Sequence, residues 1–109
     1  MTPEKRIEAF RRMLEARPDE PFARYSLAMA LRGAGQGEEA VGEFEELRRR
    51  APGYVPTYLM LGQLLETLGR GPEAARAYQA GIAVARQAGN DHARGELEQA
   101  LDLLREQGS

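Results

Sequence analysis

The chain has 109 residues, with 15 Lys or Arg, 17 Asp or Glu and no cysteine. A near-balanced charge excludes the electrostatic footprint of a nucleic-acid binder, and the lack of cysteine excludes disulfides, zinc–thiolate sites and a thiol nucleophile. The charged start, MTPEKRIEAF, is no signal peptide, and no apolar run approaches the ~20 residues of a membrane span, so a single cytoplasmic domain is expected. Fourteen of the basic residues are Arg and only Lys5 is Lys, a bias that fits a GC-rich genome better than a binding task.

In chain order, Ile7, Phe10 and Leu14 give an N-terminal helix over 4–17, ended by Pro18. A repeat follows. Residues 18–51 laid over 52–85 are identical at eight positions. Pro18 falls on Pro52, Leu27 on Leu61, Leu31 on Leu65, Gly35 on Gly69 and Gly37 on Gly71; Glu39, Ala40 and Ala51 fall on Glu73, Ala74 and Ala85.

Each copy reads as two antiparallel helices. Leu27, Ala28 and Leu31 form the apolar face of the first helix, and Leu61, Gly62 and Leu65 repeat it. The second helix carries Ala40, Phe44 and Leu47, echoed by Ala74, Tyr78 and Ile82. Helices approach closely only where one offers a small residue to the other's bulk, so Ala28 or Gly62 should lie against Phe44 or Tyr78. Glu45 and Glu46 precede Arg49 and Arg50 by four residues, the spacing of intrahelical ion pairs.

The stretch LRGAGQGEEA at 31–40 poses a question: three glycines before a helix could cradle a phosphate. The dinucleotide fingerprint needs a third glycine at 38, which is Glu38, and a preceding strand, whereas RYSLAMALR favours helix. No GKS or GKT follows for a nucleotide loop. The stretch also has a duplicate, LETLGRGPEA at 65–74. Gly35 and Gly69 stand where a left-handed residue ends a helix, and Pro72 stands in the first turn of the next. It is a turn.

After residue 85 the pattern drifts, because Arg86 occupies the place of a third proline. The helix from Pro72 is therefore expected to run to about Ala88, with Gly89-Asn90-Asp91 as turn and N-cap. A last helix over about 92–106 presents Ala93, Leu97, Ala100, Leu101 and Leu104.

Period, turn and small–large pattern together resemble the tetratricopeptide repeat. Its signature runs Leu27-Ala28…Leu31…Gly35…Ala40…Phe44…Pro52, then Tyr58…Leu61-Gly62…Leu65…Gly69…Ala74…Tyr78. The resemblance implies an all-α solenoid of about six helices in a right-handed superhelix. Residues 4–17 are a partial repeat, 18–51 and 52–85 two full repeats, and 86–109 the extended helix end, turn and capping helix.

The resemblance also implies a concave surface that binds a protein or peptide. Its positions are Phe22, Tyr25, Ser26, Met29 and Arg32 in one copy, and Pro56, Leu59, Met60, Gln63 and Glu66 in the other. Some relatives clamp a C-terminal carboxylate with Lys and Asn here; Tyr25, Met29 and Met60 stand in their place, so that clamp is absent. Two readings stand side by side. The apolar patch is open to an apolar peptide or helix, or Tyr25 and Met29 pack on the N-terminal helix while Leu59 and Met60 pack on the last one. Self-association through the groove or an end helix is the alternative function.

No catalytic constellation assembles. Ser26 has no paired base, His92 has neither a second His nor a Cys for a metal, and no cofactor motif occurs. The expectation is a non-enzymatic interaction module without cofactor, metal, nucleic-acid or membrane partner.

Overall fold

The computed structural model describes residues 1–108, which form six α-helices and, among the described residues, no strand. They fall into two compact units that divide after Tyr54. The first holds α1 (Pro3–Ala16), α2 (Pro21–Gly33) and α3 (Gly37–Arg50); the second holds α4 (Pro56–Thr67), α5 (Gly71–Gln87) and α6 (Asp91–Gln107). No helix among the described residues is long and apolar enough to cross a membrane.

Two kinds of connection join the helices. The α2–α3 and α4–α5 turns are superposable in their bonding: Gly35 and Gly69 have φ of 79° and 75°. Gln36 N–H donates to Leu31 O at 2.9 Å, and Arg70 N–H to Leu65 O at 2.8 Å. That bond satisfies a carbonyl the helix end would otherwise orphan, and the left-handed residue it needs is glycine. Gly33 closes α2 and Gly37 opens α3, so only the middle glycine of the three is demanded by the backbone. The α5–α6 turn repeats this plan at Gly89 (φ 68°), with Asn90 N–H on Ala85 O at 2.9 Å. Asn90 also accepts the Ala93 N–H on its side chain, capping α6.

The other kind of connection is proline-directed. Arg17 (φ −139°, ψ 80°) and Ala51 (φ −136°, ψ 70°) end α1 and α3 in extended backbone immediately before Pro18 and Pro52, because a proline crowds the helical conformation of the residue before it. Arg86 imposes no such stop, so α5 runs 17 residues where α3 runs 14.

In the first unit, α2 packs on both α1 and α3. Leu27, Ala28, Leu31, Ala40, Phe44 and Leu47 are buried, with Phe44 and Ala28 fully enclosed. In the second unit, α5 packs between α4 and α6, around Tyr58, Leu61, Leu65, Ala74, Tyr78 and Leu97. The ring-on-small-residue pairing is tight: a Cβ placed on Gly62 would lie 2.1 Å from Tyr78 Cε1. A second close approach corrects the sequence reading, which put Ile82 on this face. Gly81 is the buried residue, and a Cβ there would stand 2.4 Å from Tyr58 Cβ, whereas Ile82 is only half-buried.

Charges fasten the first unit at its edges. Arg24 Nη1 of α2 meets Glu43 Oε1 of α3 at 2.6 Å, with side chains only 12% and 28% exposed. Arg50 meets Asp19 at 2.7 Å, and Arg11 meets Glu39 at 3.3 Å. The intrahelical pairs of α3 converge on one carboxylate: Arg49 Nε and Arg50 Nε donate to Glu46 at 2.8 and 2.7 Å. Those two hydrogen bonds hold the Glu46 carboxyl down to about 2.

Candidate functional site

On α2 the expected binding residues recur at helical spacing and share one stripe. Phe22 stands in the first turn, its N–H donating to the Glu20 carboxylate at 3.1 Å and its ring 61% exposed. Tyr25, Ser26, Met29 and Arg32 follow, each half-buried. The Tyr25 ring is held edge-on by two others, Phe44 at 6.2 Å between centroids and Tyr54 at 5.9 Å, the geometry that aromatic quadrupoles prefer. Its ring neighbours thus come from α3 and the turn after it.

Burial pushes the Tyr25 phenol up, with the Arg32 guanidinium pulling the other way. Burial also raises Tyr54, aided by Tyr25 and Glu20. Both phenols stay neutral at ordinary pH, and each offers an apolar edge with a polar tip.

On α4, Pro56 is exposed while Leu59, Met60, Gln63 and Glu66 are half-buried. Leu59 and Gln63 line a cavity of about 310 Å³ with Glu96, Gln99, Ala100 and Leu103 of α6. Glu66 is engaged from within its own unit, since the Tyr78 hydroxyl donates to its carboxylate. The two faces therefore differ: α2 presents fixed aromatic rings and a cation, while α4 borders α6 and offers amide and carboxylate groups.

Two contributors escaped the sequence reading. Tyr54 lies in a turn, where no helical periodicity marks it. Arg24 is half-buried against Glu43, and its only signal was its place 34 residues ahead of the buried Tyr58. His92 sits in the first turn of α6, its Nε2 3.3 Å from Glu96 Oε1 and its side chain 89% exposed. Thr57 Oγ1 is a different kind of outlier, buried with no hydrogen-bond partner among the described residues.

A tetratricopeptide repeat family model matches residues 7–55 and 25–92, and a second tetratricopeptide repeat model matches 83–106. The small glutamine-rich tetratricopeptide repeat-containing protein 2 of Mycosarcoma maydis is 32% identical over 78 residues, 72% of this chain. The chain spans only 22% of the length of that curated relative. A tetratricopeptide repeat domain protein of Salinibacter ruber, solved in solution, is 39% identical with a TM-score of 0.77, over 80% of this chain and 88% of that one. The TPR2B domain of yeast Sti1, solved as a complex with pHsp70, shares the fold at a TM-score of 0.85 and 17% identity, over 93% of this chain and 81% of that one. Two matched models, a shared turn chemistry and a ring seated on a small residue all agree: the chain belongs to the tetratricopeptide repeat family.

Proposed function

We propose that the chain is a non-enzymatic interaction module that binds an apolar segment of another protein on the first-helix faces of its units. The observation that carries this reading is the α2 stripe. Phe22 is well exposed, and Tyr25 beside it is locked by Phe44 and Tyr54. A ring already fixed loses little conformational freedom when a partner covers it, which favours binding. Met29 adds an adaptable apolar surface and Arg32 a cation along the same stripe. The yeast relative was solved in complex with a partner, which supports a binding role for this fold. The α4 face, with Leu59, Met60, Gln63 and Glu66, is proposed as the second contact surface.

The test is a comparative pull-down with identification of what is retained. Tyr25→Ala combined with Leu59→Ala is expected to keep its helical circular dichroism and lose the partners that the parent captures. A variant that captures the same set removes these faces from the proposal. Self-association is the second reading, favoured by Leu103, which is 51% exposed on α6. Light scattering at rising concentration decides it, and a constant monomer mass contradicts it.

A further inference from the structure

The spacing of 34 residues that relates α3 to α5 also reaches back to α1. Phe10 falls on Phe44, Pro18 on Pro52, Met13 on Leu47 and Arg6 on Ala40. In α3 these positions are sealed, with Ala40 and Phe44 at 0% and Leu47 at 1% exposure, because α2 packs on that helix. Their counterparts in α5, Ala74, Tyr78 and Gly81, are equally buried. On α1 the outcome differs. Ile7 and Leu14 are buried, but Phe10 is half-buried, Met13 is 48% exposed and Arg6 is open to solvent. The side of α1 that takes a first helix in the other two copies is uncovered.

That side has a distinct charge. At about 100° per residue, Arg6, Phe10 and Met13 lie along one stripe, with Arg17 just past the end of the helix, while Glu4, Glu8 and Glu15 lie on the opposite side of the helix. Among the described residues, the guanidinium of neither Arg6 nor Arg17 has an ionic or hydrogen-bond partner. Arg17 lines a pocket of about 480 Å³ together with Met13, Ala16, Glu20, Phe22 and Ala23. Glu20 is the one acid at this pocket, and its carboxylate is turned to the Phe22 N–H that it caps. Met13 and Phe22, two of the few large apolar side chains that are exposed, meet at this one place.

We infer that this surface binds an acidic amphipathic helix of another protein, seated on α1 as α2 sits on α3. Its apolar stripe covers Phe10, Met13 and Phe22, with a small residue opposite Phe10, as Gly62 stands opposite Tyr78. Carboxylates near its two ends meet Arg6 and Arg17, which are about 16 Å apart along a helical rise of about 1.5 Å per residue. The inference goes beyond the α2 face proposed above, with which it shares only Phe22. It specifies a helix and a charge, and it uses α1.

The probe is a fluorescent synthetic Ala/Leu helix of about four turns, made with Glu near both ends or with Lys at the same places. With the intact chain, the Glu helix is expected to bind roughly tenfold tighter than its Lys twin, as two gained and two reversed ion pairs imply. Arg6→Glu with Arg17→Glu should invert that preference. Met13→Asp should abolish binding of both helices with an unchanged circular dichroism spectrum. Equal affinity for the two helices, no binding of either, or parental binding by Met13→Asp overturns the proposal. So does a concentration-dependent mass that Met13→Asp abolishes, since the occupant would then be a second copy of the chain.

Discussion

Where the first unit places Arg24, Glu43 and Leu47, the second places Tyr58, Ala77 and Gly81, in each case 34 residues later. All three positions lie between a first and a second helix, and the volume is exchanged across them. In the first unit Leu47 supplies the bulk on α3, and Arg24 pairs with Glu43 at 2.6 Å. In the second unit Tyr58 supplies bulk from α4, and α5 retreats to Gly81 to admit it. A second exchange runs beside the first. Ala28 and Phe44 become Gly62 and Tyr78, and the added hydroxyl finds Glu66 where the first unit has Arg32. One backbone plan thus tolerates two side-chain solutions, provided that both members of a pair change together. Cores conserve summed volume more strictly than identity.

The sharpest way to break this comparison is to move one half of a pair. Gly81→Leu, which copies Leu47 into the second unit, forces a side chain into a Tyr58 Cβ that would lie 2.4 Å from even a first carbon. A Cβ cannot swing aside as a side-chain tip can, so this variant is expected to lose about 3 kcal/mol in urea denaturation. Little loss would show that α4 and α5 are free to part. In the first unit, Arg24→Met keeps the aliphatic stem but strands the Glu43 carboxylate, which is 28% exposed. About 2 kcal/mol should be lost, and Glu43→Gln should recover part of it in the Met background.

A smaller effect runs the other way. Thr57→Val removes the buried, unpartnered Oγ1 at nearly constant volume, so a gain of about 1 kcal/mol is expected, read as a raised melting temperature. The least effect lies at the exposed carboxylate of Glu46, which titrates near 2, below its ordinary 4.5, because Arg49 and Arg50 hydrogen-bond its charged form. A depressed carboxylate contributes stability that is complete above its unfolded value and fades as the pH falls from about 4.5 towards 2. Glu46→Gln should therefore flatten the acid limb of the melting profile in that window, with its small deficit against the parent complete at neutral pH and vanishing towards pH 2.

The fold was legible because its punctuation is chemical. Gly35 and Gly69 adopt positive φ, and Pro18 and Pro52 follow extended residues; each of these residue types has few alternatives. Gly62 against Tyr78 was equally readable, as a small residue one helix away from a ring. Gly81 was missed because a glycine leaves no hydrophobic signal while its neighbour Ile82 leaves a strong one, and adjacent residues differ by only about 100° around a helix. The convergence of Arg49 and Arg50 on Glu46, instead of one pair each, depends on rotamers that spacing does not encode. The stripe on α2 proposed to bind a partner was visible as a pattern, but Tyr54 beside Tyr25 came from a turn. That Leu59 faces α6 was one of the two readings the sequence offered, but the cavity the two share depends on side-chain placement that spacing does not encode.

The most direct measurement of paired exchange is a double-mutant cycle on Gly62→Ala and Tyr78→Phe. Tyr78 is tethered through its hydroxyl to Glu66, so an added methyl at 62 meets a ring that cannot shift, and Gly62→Ala alone is expected to lose about 2 kcal/mol. With Tyr78→Phe the tether is gone, the pair becomes the Ala28–Phe44 of the first unit, and about half of that loss should return as coupling between the two sites. Losses that simply add would contradict the exchange of volume between partners on which this account of the helix pairs depends.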